Sequence, residues 1–118
     1  MQEPSFPYPV RSRDAFNLLS ALDAYDLAGQ RLVASWLDME VYADFSAKVD
    51  AIREHGATVP ALTVLSLQLV IAHSELVSTL WQNASVGVGP ERMGEVQARH
   101  SEAIGSLRAA AVRMLRND

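Results

Sequence analysis

Cysteine is absent from the 118 residues, lysine occurs once, and proline and glycine are scarce at five and six. Without cysteine there is no disulfide framework, no thiolate zinc site and no cysteine nucleophile. Three of the five prolines, Pro4, Pro7 and Pro9, crowd into the first nine residues, so residues 1–11 read as an extended, proline-rich arm anchored only by Phe6 and Tyr8. That start has no apolar core of the signal-peptide kind, and a cytoplasmic protein is the expectation. No uninterrupted apolar run of about 18 residues is present, because the most apolar stretch, Val64–Ala72, is broken by Ser66 and Gln68; no membrane span is expected. A net charge of −4 argues against wholesale nucleic-acid binding, which needs a clustered basic surface. Nine arginines to one lysine, with abundant alanine, point to a GC-rich bacterial source.

What remains is helix. From Arg13 to Glu54 there is no proline and one glycine, Gly29, and apolar or small residues recur at Ala15, Leu18, Leu22, Tyr25, Gly29, Leu32, Trp36, Met39, Ala43, Ser46, Val49 and Ile52. Steps of three and four mark one helical face, with Ser12 as an N-cap and Gly56 as a stop. Read as one piece, this helix is about 63 Å long at 1.5 Å per residue. A second helix runs from Thr58-Val59-Pro60, with Thr58 as cap, to about Ala84. Ser85–Pro90 reads as a turn, and a third helix continues from Pro90 to about Arg116. The pattern predicts an all-α antiparallel bundle of three long helices in one domain, 12–118. A break near Gly29 would instead give four. Gly29 costs only about 1 kcal/mol in a helix and has no turn residues beside it, so the continuous helix is favoured. Its first part, Arg13–Ala28, would then project from the body, and Phe16, Leu19 and Leu22 would need a partner chain to cover them.

The second helix holds one charged residue, Glu75, between Val59 and Ala84. Besides the stripe Leu62, Leu65, Leu69, Ala72, Leu76 and Leu80, it carries a second one that includes Val64, Leu67, Ile71 and Trp81. A helix apolar nearly all round is buried on more than one side. A small monomer would leave one face as an interface-sized patch. The expectation is a homo-oligomer, dimer or tetramer, using Phe16, Leu19, Leu22, Val64, Leu67, Ile71 and Trp81. A different protein partner or an apolar surface is the alternative occupant.

Of the three histidines, His55 stands at a helix C-terminus, where a cation suits the dipole. His100 lies in the seam of the last helix. Antiparallel pairing about Ser85–Gly89 sets His73 level with it, and the same counting about Gly56 brings Glu40 close to His73. Two imidazoles and a carboxylate in one layer are candidates for a metal or small-ligand site. The Glu-x-x-His repeats of di-iron bundles are absent, however, and a buried polar layer more often fixes register. No cofactor is expected. No Gly-x-Ser-x-Gly elbow, phosphate loop or dinucleotide fingerprint occurs, and the pairs Asp23/Asp26 and Glu40/Asp44 read as solvated faces, so the sequence does not read as an enzyme. Seven acids between Asp14 and Asp50, set against four arginines between Arg99 and Arg116, can pair helices within or between chains.

Over residues 24–68, Ala24-Tyr25, Gly29, Arg31-Leu32-Val33, Asp50-Ala51 and Leu65-Ser66-Leu67-Gln68 form a pattern that resembles the phasins, helical coat proteins of bacterial polyhydroxyalkanoate granules. The chain departs from that family in its shortness, its near lack of lysine and Pro60. The resemblance implies amphipathic helices on a granule surface, self-association and no catalysis.

Overall fold

The computed structural model describes residues 10–35 and 38–117. They form four helices: α1, Val10–Ala34; α2, Met39–Ala57; α3, Pro60–Ser85; and α4, Pro90–Asn117. There is no strand among the described residues. The readings of the arm over residues 1–9, and of Trp36 and Leu37 as part of a helical face, lie outside the described residues. Each helix packs against two neighbours, α1 on α2 and α4, α3 on α2 and α4, while the diagonal pairs stay apart. Short turns join successive helices, as an antiparallel up-down bundle requires.

The long first helix does not exist, and neither does a break at Gly29. The chain turns at Ser35–Asp38. Ser35 Oγ donates to Leu32 O at 3.0 Å and accepts from Asp38 N at 3.2 Å. Asp38 then caps α2, its carboxylate accepting from the amides of Glu40 and Val41 at 2.9 and 3.2 Å. A cap of this kind contributes about 1 kcal/mol, comparable to the cost of a helical glycine. Once α1 folds back on α2, its apolar face is covered by its own chain: Leu18, Leu22, Tyr25 and Leu32 are fully buried. The projecting segment that would have demanded a partner is therefore part of the core.

The two glycines expected to break or end helices do something else. Gly29 sits inside α1, where a Cβ would lie 2.9 Å from Phe45 Cε1, so its bareness admits the Phe45 ring against the α1 backbone. Gly56 lies within α2 against Ser66 of α3, where a Cβ would come within 2.5 Å of Ser66 Cβ. The α2–α3 turn is thus centred on Thr58–Val59. Thr58 does not cap α3: its hydroxyl donates to His55 O at 2.8 Å and closes α2, while Val59 holds the N-cap position of α3 with no side-chain bond. Thr63 Oγ1 ties the turn by donating to Gly56 O at 3.0 Å. Helix α1 begins at Val10, ahead of the expected cap Ser12. The α3–α4 turn falls where the sequence placed it. Gly87 takes φ 84°, the left-handed conformation that ends a helix, and Asn83 Oδ1 accepts from Val88 N at 3.0 Å.

Candidate functional site

One layer of the bundle takes an aromatic ring from every helix: Tyr25 of α1, Phe45 of α2, His73 of α3 and His100 of α4. Tyr25 and Phe45 stack with centroids 4.7 Å apart, and Phe45 meets the His73 ring at 4.5 Å and the His100 ring at 6.2 Å. Tyr25 Oη lies 2.9 Å from His73 Nδ1 and 2.5 Å from His100 Nε2. A phenol has one proton, so it donates to one imidazole and accepts from the other. The shorter contact suits O–H···N to His100, and the longer suits N–H···O from His73.

Burial sets the charge states of the layer. His73 is pushed down to about 4, chiefly by desolvation, then by the neighbouring His100, with Asp50 opposing. His100 is lowered by its own burial, and Asp26 partly offsets this. The Tyr25 hydroxyl is raised, first by burial and then by Asp26. At neutral pH the layer is three neutral, hydrogen-bonded groups.

Histidines 73 and 100 meet as the sequence indicated, but Glu40 is not with them. It stands exposed in the first turn of α2. Because α2 runs through Gly56 to Ala57, its register against α3 advances by about five residues, and Phe45 takes the place given to Glu40. Among the described residues no three His, Asp or Glu side chains converge where they could hold a metal ion. Tyr25, which completes the layer, was missed as a polar member because it reads as one more seam residue. Its signal lies in the arithmetic of the Ser35 turn, which sets residue 25 level with 45.

Beside this layer a cavity of about 440 Å³ opens between α1 and α4, lined by Asp26, Gly29, Gln97, His100, Ser101 and Ile104 among others. Outside it, exposed ion pairs fix α4 against its neighbours. Glu75 of α3 meets Arg99 at 2.9 Å and Arg92 at 3.4 Å, and Arg108 reaches Asp23 and, at 3.8 Å, Asp26 of α1. Between the acidic and basic stretches of the chain, Arg108 thus pairs with Asp23 and Asp26. Arg99 holds the Glu75 carboxyl below its usual range.

The residues expected at an interface divide. Leu22 is wholly buried and Leu19 half-buried against the chain's own core, so Leu22 is corrected to a core residue. Phe16 remains 60% exposed on α1, but α1 is diagonal to α3. On α3 itself Val64, Leu67 and Ile71 remain 64, 48 and 69% exposed, one stripe at helical spacing. Trp81, 37% exposed, packs edge-on against Tyr42 at 5.7 Å. By length and hydropathy Pro60–Ser85 would also pass for a membrane-spanning helix, but so does the core helix of many soluble bundles. Comparison with family models, curated proteins and solved structures finds no match to the chain.

Proposed function

We propose that the chain is a non-catalytic helical interaction protein that self-associates through the outward face of α3. One observation carries this reading: folding the bundle leaves Val64, Leu67 and Ile71 in water on a helix with a single charge in its 26 residues. Patches of this kind usually mark contact sites. The favoured occupant is a second copy, on grounds of charge. An antiparallel copy centred level with Leu69 sets Leu67 of each chain beside Ile71 of the other. The one ionised side chain of α3, Glu75, lies a turn beyond Ile71 and keeps its own Arg92 and Arg99 as partners. A face one helix wide and about 39 Å long covers roughly 400 Å² per copy, half the usual share of a stable complex at about 800 Å². Association is accordingly weak and concentration-dependent.

The same face would serve adsorption to an apolar surface, and the resemblance to phasins supports that second reading. Sedimentation from micromolar to millimolar concentration tests the first. The expected result is a reversible rise in mass that Ile71→Lys abolishes while its circular dichroism stays native. A monomer throughout, or an unaffected Ile71→Lys oligomer, refutes it. Binding of the monomer to apolar beads, lost in Ile71→Lys, would then favour the surface reading.

A further inference from the structure

The cavity between α1 and α4 is independent of the α3 face and has the make-up of a ligand site. Its volume of about 440 Å³ falls within the range of small-molecule pockets, about 300–1,000 Å³. Leu76 and Ile104 give it apolar lining, and Gln30, Gln97 and Ser101 bring uncharged acceptors to its rim. Asp26 is the one ionised side chain among the lining residues, since burial keeps the His100 imidazole neutral. Asp26 has acceptor capacity to spare: Arg108 stands 3.8 Å away and binds Asp23 more closely. A site with apolar lining and one carboxylate, whose nearby Arg108 leans to Asp23 instead, fits a cationic ligand with an apolar body.

We propose that this cavity binds small arylalkyl primary amines, the ring between Leu76 and Ile104 and the ammonium donating to Asp26. The remaining ammonium protons have acceptors in the Gln30 and Gln97 amide oxygens and Ser101 Oγ. A carboxylate of the same shape would face Asp26 and be repelled.

The test uses the full chain and two probes of nearly equal shape, phenethylamine and hydrocinnamate, titrated while amide resonances are followed by NMR. The expected result is saturable shifts at Gly29, Gln97, His100 and Ser101 with phenethylamine and none with hydrocinnamate. Asp26→Asn should weaken the amine about ten-fold, the equivalent of one charge-assisted hydrogen bond. Ser101→Trp, which fills the cavity from an exposed position, should abolish binding while keeping the native melting curve. Equal response to both probes, shifts confined to the α3 face, or full affinity in Asp26→Asn each overturns the proposal. So does the absence of any saturable shift. Loss of self-association in Ile71→Lys leaves this titration unchanged, so the two proposals fail separately.

Discussion

Acidification should destabilise this bundle well before its carboxylates titrate. His73 has an ordinary value of 6.5 and lies near 4 in the folded chain, because burial among Tyr25, Phe45 and His100 disfavours its cation. The unfolded chain therefore binds a proton that the folded chain refuses. Above pH 6.5 both states are neutral at this position and nothing is lost; below 6.5 unfolding takes up a proton and stability falls; below about 4 the loss levels off. At pH 5 the unfolded imidazole is almost fully charged and the folded one about one-tenth charged. That difference corresponds to about 2 kcal/mol relative to pH 7.5, from His73 alone, and the lowered His100 adds to it in the same direction. A domain of this size has about 5–15 kcal/mol in all, so the effect is a sizeable share of it. Urea unfolding followed by circular dichroism at pH 7.5 and pH 5 should show the midpoint dropping by about 1 M, from a slope of about 2 kcal/mol/M. His73→Phe keeps the ring and removes the titration, so its midpoint should depend less on pH. Glu75, held low by Arg99, also loses stabilisation on acidification, but mainly as pH falls from its ordinary value of 4.5 downward, beneath this window. Equal midpoints at the two pH values, or an undiminished pH slope in His73→Phe, would refute the assignment of neutral, desolvated imidazoles.

Tyr25→Phe keeps the stack on Phe45 but leaves two buried imidazole nitrogens without their partner; it should cost about 1–3 kcal/mol in the same urea experiment. Ser66 Oγ is buried with no hydrogen-bond partner, so Ser66→Ala should raise the midpoint by the equivalent of about 1 kcal/mol, and a fall would contradict the packing described. Gly56→Ala should destabilise by about 1–3 kcal/mol despite the better helix propensity of alanine, because the new Cβ meets Ser66. Combining it with Ser66→Gly should recover part of that loss, a coupling that a double-mutant cycle measures.

The helical content, the α3–α4 turn and the level pairing of His73 with His100 were legible because each rests on strong local signals: periodicity, a Gly-rich turn and equal counting from a known centre. The α1–α2 turn was not, because Leu32, Trp36 and Met39 continue the helical stripe past Ser35 and Asp38, and it is the fold-back burying Phe45 and Val49 that selects the cap. Gly56 misled for a related reason. Glycine ends helices and also admits close approach, and its meeting with Ser66 is a tertiary fact. The five-residue shift that followed took Glu40 out of the layer and put Phe45 into it. An error of one turn in α2 thus changed the reading of the site from imidazoles with a carboxylate to imidazoles with a phenol. Leu22 moved from interface to core by the same fold-back, whereas Val64, Leu67 and Ile71 remained exposed because none of the described helices lies outside α3.

The backbones of this bundle touch only around its perimeter, and a four-sided frame jointed at its corners can lean. Tyr25 joins α1 to α3 across one diagonal through the His73 bond, and Phe45 meets His100 across the other. The layer is therefore a cross-brace: it sets the angles of the square that side-by-side packing leaves free. Protonating both imidazoles would set two cations against one phenol, leave its proton without an acceptor and loosen that brace, letting the helices slide toward a rhombic section while their lengths and turns stay intact.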